Sequence, residues 1–303
     1  MNRYPKVSVV IPVHNTSENL ADTLSALLNQ SYPGEVEIIA VDNNSTDGSD
    51  QIAANTPGVT LVHQKEIQNA AATRNKGIVT ATGQVIAFID SDCIPAKDWL
   101  IHGITAMQEN NVDRVGGKVE IKPVFPDSAL PELLDALSNF NQERLIQNHK
   151  TAMTGNFIAK KSFFEKTGLF DPDFYEFEDI ELGKRATAIN STICYAPKCI
   201  VWHSPRNTLS QIWRKSKRNG RGIFIMCRNN PKWSGLWGWK HPVRPVKLFL
   251  TPRLLNWETL SFASKEIDSM TRFYISLSRW FVINIPEALG YWQCWINSFL
   301  FGK

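Results

Sequence analysis

Short apolar runs alternate with amphipathic segments through the first two hundred residues, and this alternation constrains the fold more than any other feature. "KVSVVIPV" reads as a buried strand. "NTSENLADTLSALLNQ" follows, with Leu20, Leu24, Leu27 and Leu28 at helical spacing behind a Thr16/Ser17 cap. "EVEIIAVD", "VTLVH" and "QVIAFID" read as further strands, separated by the helical "DQIAAN" and "IQNAAATRNKGIVTAT". "DWLIHGITAMQEN" is expected to be a helix and "DRVGGKVEI" a strand. Such a chain is α/β, with βαβ units, a mainly parallel sheet and flanking helices.

In open α/β sheets, ligands lie outside the carboxyl ends of the strands. Two of the clearest strands end there in aspartate, Asp42 and Asp90. Asp92 follows Asp90 at i+2, so both side chains leave the same face of an extended chain. Two carboxylates placed this way suit Mg²⁺ or Mn²⁺, which complete their shell with phosphate oxygens and water. A turn-capping role is the alternative, as it is for "NNSTDGS" after Asp42.

Arg74 lies in a helix otherwise built of small residues, where an arginine is either solvated or reaches a phosphate or base with its planar fork. In "FYEFEDIELGKRA", Leu182, Ala186 and Ile189 are expected to mark the buried face of a helix. Asp179, three residues before Leu182, shares that face, while Glu178, Glu181 and Arg185 group on another. A helix's first turn favours an ionised aspartate, which a proton acceptor must be. His203 ends the apolar strand "ICYAPKCIVWH", where a structural role and a ligand role are both open.

Composition narrows the partners. From Leu182 to Trp257 there are 15 Lys or Arg and no Asp or Glu, and nine of the ten tryptophans follow residue 200. This points to an anionic partner, either a phosphate-bearing ligand or a membrane surface, and no nucleic acid is expected. Five cysteines without metal-ligand spacing are expected to be reduced thiols. The N-terminal apolar run is short and enters Pro12 and His14, so it reads as a strand and not a signal peptide; a cytoplasmic location is expected. No GxGxxG follows the first strand, which argues against a dinucleotide-dependent dehydrogenase. "PVHNTSENL" also lacks the glycine-rich loop expected of a nucleotide-sugar pyrophosphorylase.

Taken in order, "VSVVIPVHN", "VDNNSTDGS", "AATRNKGI", "IAFIDSDCIP", "TGNFIAKKSFFEKTGLFDPDF", "EFEDIELGKRA" and "VWH" resemble the family 2 glycosyltransferases of the GT-A fold, over residues 6 to 222. The resemblance implies an inverting, metal-dependent transfer from a nucleotide-sugar donor, most often a UDP-sugar, to a glycan or lipid-linked acceptor. It implies that Pro12, Asp42, Arg74 and Asp90 bind the nucleotide, with Asp42 on the base and Asp90 on the ribose. Asp92 and His203 would hold Mn²⁺ or Mg²⁺. Gly155, Asn156 and Glu178 would border donor sugar and acceptor, and Asp179 would be the general base. Arg218 and Arg221, in the basic "RNGRG" run, are candidates for the diphosphate. A non-catalytic carbohydrate-binding protein on this fold is the rival, opposed by the joint presence of Asp90, Asp92 and Asp179.

The implied domains are a catalytic unit over 1–222, with a nucleotide-sugar half about 1–122 and an acceptor half about 123–222, then a basic, aromatic, helical region over 223–303. Processive members of the family carry Gln-x-x-Arg-Trp, whereas this chain has "QIWRK" from Gln211, which points to a non-processive enzyme. The longest uncharged C-terminal run, Ala288 to Gly302, falls short of the ~20 residues that span a bilayer. Trp280, Trp292 and Trp295 suit either an interfacial helix at an anionic membrane surface or packing on protein, including a homodimer.

Overall fold

A computed structural model describes residues 4–121, 130–137, 141–229, 278 and 280–301. The chain forms two compact units, residues 1–120 with 140–204 and residues 121–139 with 205–303. The C-terminal expectations for 230–277, with tryptophans at 233, 237, 239 and 257, lie outside the described residues.

In the first unit the expected alternation appears element by element. The order is β1 (Val7–Val13), α1 (Ser17–Leu28), β2 (Val36–Asp42), α2 (Ser49–Ala54), β3 (Val59–His63), α3 (Ala70–Thr80), β4 (Val85–Ile89), β5 (Cys93–Pro95), α4 (Trp99–Glu109) and β6 (Arg114–Ile121). In the second unit α5 (Leu130–Leu137) follows. The first unit resumes with α6 (Gln142–His149), β7 (Asn156–Lys160), α7 (Lys161–Thr167), α8 (Glu178–Ala188) and β8 (Ile193–His203).

The eight strands form one sheet in the order β3-β2-β1-β4-β7-β6-β8-β5. β1 pairs in parallel with β2 and β4, and β2 with β3. β7 then runs antiparallel to β4 and β6, and β5 antiparallel to β8. The parallel sheet expected from sequence therefore holds for the first four strands and turns mixed beyond them.

Strand alternation divides the core. Val7, Val9, Ile11 and Val13 face α1 and α4, packing with Leu20, Leu24, Leu27, Trp99 and Ile104. Val10, Ile39, Val41, Ile86 and Phe88 face the other side, with Ile78, Phe157, Phe164 and Leu182. Phe88 stacks on Phe157 and meets Phe164 and Phe170 edge-on. Gly77 lets α3 approach β1, since a Cβ there would lie 2.3 Å from Val10 Cγ1.

The second unit contains α5, α9 (Leu209–Asn229) and a π-helical turn, Trp280–Asn284, that leads into α10 (Ile285–Phe301). The "RNGRG" segment is regular helix, and residue 222, the expected end of the catalytic domain, lies inside α9. Gly220 and Gly290 let α9 and α10 touch closely, because a Cβ on either would strike the other helix's backbone. Asp135 is buried on α5 and receives Arg206 and Lys215. Among the described residues no helix is long and apolar enough to cross a membrane.

Candidate active site

The parallel strands end along one edge of the sheet, and the acidic residues gather there. Pro12 lies past Val10↔Phe88, the last β1–β4 partners, so its missing N–H breaks no rung of that ladder. Asp42 ends β2, is 3% exposed, and accepts from the Ser45 N–H at 3.2 Å. Beside it His63 ends β3 in direct register, with Nδ1 3.3 Å from Asp42 Oδ2. Reading the sequence missed His63. The signal was present, since parallel register pairs the last residues of neighbouring strands.

Asp90 follows β4, and its carbonyl accepts from the Cys93 N–H, closing the turn into β5. β5 lies antiparallel to β8 with Cys93 opposite His203. That register brings His203 Nε2 to 3.4 Å from Asp92 Oδ2. Asp92, Cys93 and His203 each offer a ligand atom within 4.8 Å of the others. Cys93 was absent from the sequence expectation. It is 1% exposed and its Sγ donates to Asp92 Oδ1 at 3.6 Å. Burial, then Asp92 and Asp90, push its thiol well up.

Arg74 is buried and not solvated. Its Nη2 donates to Asp90 Oδ1 at 3.0 Å and its Nη1 to Glu178 Oε1 at 2.5 Å. Burial opposes its charge, but Asp90, Glu178 and Asp179 outweigh burial and raise its pKa. Glu178 therefore does not group with Glu181 and Arg185, which pair with each other. It points inward because the cation lies there. Ile189 is also corrected: as the C-cap it is 45% exposed and does not join the buried face.

Asp179 follows Glu178 in the first turn of α8. Its Oδ1 accepts from the Ile180 N–H at 2.8 Å. Burial, and next the charge of Glu178, push its carboxyl up to about 7, while Arg74 and the N–H groups of Ile180 and Thr154 pull it back. Such a group changes protonation near neutral pH, as a general base should.

Gly155 lies against Asp90, and a Cβ there would lie 3.0 Å from Asp90 Oδ2. Asn156 has no exposed surface. Its Oδ1 accepts from Trp99 Nε1 and its Nδ2 donates to the carbonyls of Lys118 and Cys199. These bonds lock β7 to its neighbours and occupy both ends of the Asn156 amide within the protein. Arg218 and Arg221 lie on α9 in the second unit, where Arg221 donates to Gln293 Oε1 at 2.7 Å.

Residues 8–168 match the model of "Glycosyl transferase family 2". The chain is 32% identical to the glycosyltransferase AglE of Haloferax volcanii, over 72% of this chain and 73% of that one. It is 29% identical to the probable glycosyltransferase YdaM of Bacillus subtilis, over 73% of this chain and 56% of that protein. A solved mannosyltransferase, PcManGT of Pyrobaculum calidifontis, in complex with GDP-Man and Mn²⁺, superposes with a TM-score of 0.58 at 18% identity, covering 99% of this chain and 88% of that one.

Proposed function

The chain belongs to glycosyl transferase family 2 and has the GT-A fold, and on that premise we propose that it is an inverting enzyme moving a sugar from a UDP-sugar to a hydroxyl of a glycan or lipid-linked acceptor. The observation that carries the reading is Arg74, which joins Asp90 at a strand end to Glu178 beside Asp179. One guanidinium links Asp90, assigned to the donor, with Glu178, the neighbour in sequence of the residue assigned as base.

Asp42, on the strand-end edge with Pro12, supplies the base-reading carboxylate, and His63 orients it. Asp90, partly exposed and held on one oxygen by Arg74, meets the ribose with the other. Asp179 accepts the proton of the acceptor hydroxyl. The freed oxygen attacks the anomeric carbon opposite the diphosphate, the bond to the diphosphate oxygen breaks, and the diphosphate leaves with its electron pair. Configuration inverts, and no sugar–enzyme bond forms.

Asp92 and His203 fit a divalent cation, since a carboxylate and an imidazole lie within bonding reach of one atom. The donor set suits Mn²⁺, and Mg²⁺ through the carboxylate. When bound, the ion would neutralise charge on the leaving diphosphate. The diphosphate assignment of Arg218 and Arg221 rests on charge alone.

A place in cell-surface polysaccharide synthesis, with peripheral attachment to an anionic membrane, completes the reading. Supporting it, α9 carries no acidic residue, and Leu289, Trp292 and Ile296 are exposed along one side of α10. A homodimer through the same helices is the competing occupant. Flotation with phosphatidylglycerol vesicles, alongside light scattering, separates the two.

The donor site is tested by calorimetry with UDP, GDP, TDP and CDP, each with Mn²⁺ or EDTA, on the wild type and Asp92→Ala. Metal-dependent UDP binding lost in the variant supports the proposal. Preference for GDP, the nucleotide part of the donor bound by the Pyrobaculum protein, overturns the uracil assignment. Binding to none of the four overturns the transferase site.

A further inference from the structure

The first turn of α8 begins without a side-chain cap. Its N-cap, Phe177, is left-handed at φ 66° and makes no side-chain cap bond. A non-glycine residue in that region persists only where its surroundings enforce it. Within the turn the Glu181 N–H donates to the Phe177 carbonyl, and two bonds reach it from far away in sequence, one of them from Thr151 Oγ1 to the Asp179 carbonyl at 2.9 Å. Arg74 on α3 grips Glu178, the first residue of α8, with the Glu178 side chain only 10% exposed. The other arm of the guanidinium grips Asp90, whose side chain is 38% exposed at the donor edge. Arg74 Nε is also buried and meets no acceptor among the described residues, so the bonds shown for the group are those to these two carboxylates.

We propose that Arg74 is the positioning residue for Asp179: by clamping Glu178 it withdraws that carboxylate from the acceptor, fixes the first turn of α8 and ties it to Asp90. The inference rests on Asp179 as the base, and it reassigns Glu178 from sugar contact to partner of Arg74.

The charges around Asp179 give the clamp an electrical consequence. Glu178 on its own helix opposes ionisation of Asp179, and Arg74 from α3 favours it. Arg114 of β6 lines a small pocket together with Asp179, but its nitrogens are bound to Ser191 and the Lys150 carbonyl. Glu181 and Arg185 pair on the helix's outer side, where Arg185 also bonds the carbonyls of Thr167 and Leu169. Glu178 is a like charge next to the base, and the Arg74 guanidinium bonded to it offsets that charge.

The test needs no substrate. The protein is labelled with ¹³C at aspartate carboxyls and titrated by NMR, with Asp179→Asn assigning the resonance. Glu178→Gln should lower the midpoint of Asp179 by about one pH unit, a tenfold change in proton affinity. Arg74→Gln should raise it, and Arg74→Lys should restore part of the shift. If Arg74→Gln does not fold, Glu178→Gln and Arg74→Lys carry the test. Unmoved midpoints in the folded variants overturn the clamp. Transfer assays on Asp179→Asn separate the two ideas. Shifted midpoints with transfer intact sink the base and leave the clamp, whereas lost transfer with unmoved midpoints sinks the clamp alone.

Discussion

His203 places Nε2 3.4 Å from Asp92 Oδ2, although the two residues belong to strand ends far apart in sequence. The antiparallel register of β5 on β8 creates this meeting, with Cys93 opposite His203. A shift of one residue in that register would turn the imidazole to the other face of the sheet.

Removing either partner should therefore weaken the metal-dependent step. Asp92→Ala should abolish Mn²⁺-dependent binding of the nucleoside diphosphate. His203→Ala should weaken it about tenfold, roughly 1.4 kcal/mol. Calorimetry with and without EDTA measures both, and an unchanged metal requirement in Asp92→Ala would remove that residue from the site.

The transfer rate should rise with pH through an apparent value near 7, because Asp179 must lose its proton to act as base and its carboxyl is pushed up to about 7. Asp179→Asn should retain nucleotide binding and lose transfer by about 10²–10⁴-fold. A variant that transfers at the wild-type rate contradicts the assignment.

The same carboxyl makes stability depend on pH. Its folded value lies above the ordinary 3.8, so the native state keeps a proton that the unfolded chain releases. The wild type should lose stability as pH rises from about 4 to 7. Asp179→Asn should melt higher than the wild type at pH 8, with the gain shrinking toward pH 5. Thermal melts at the two pH values decide this, and a constant difference counts against it.

Gly155→Ala would bring a Cβ to 3.0 Å from Asp90 Oδ2. The flexible carboxylate yields before the backbone does, so the fold should survive. Nucleotide affinity should fall about tenfold, roughly 1.4 kcal/mol, with a nearly unchanged melting temperature. Unaltered affinity would remove Asp90 from the nucleotide site.

Asn156→Ala should act on stability before chemistry. It strands the Trp99 indole N–H and the carbonyls of Lys118 and Cys199, at a cost of about 2–3 kcal/mol. Urea unfolding reads this directly. Full stability with lost transfer would restore Asn156 to the substrate site.

What the sequence determined by itself was local. The near-continuous apolar run of "KVSVVIPV" and the helical spacing of Leu20, Leu24 and Leu27 depend on neighbours along the chain, so the elements and their order were readable. The parallel strands followed from the alternation, and Asp42 and Asp90 at their ends followed from that. Three features were decided only by tertiary structure. Glu178 turned inward because Arg74, from another helix, is buried there. Asn156 became a structural lock because its three partners come from α4, β6 and β8. His203 met Asp92 because of strand register. Each is a pairing between distant segments, set by burial and hydrogen bonding in three dimensions, and no period along a single segment encodes it.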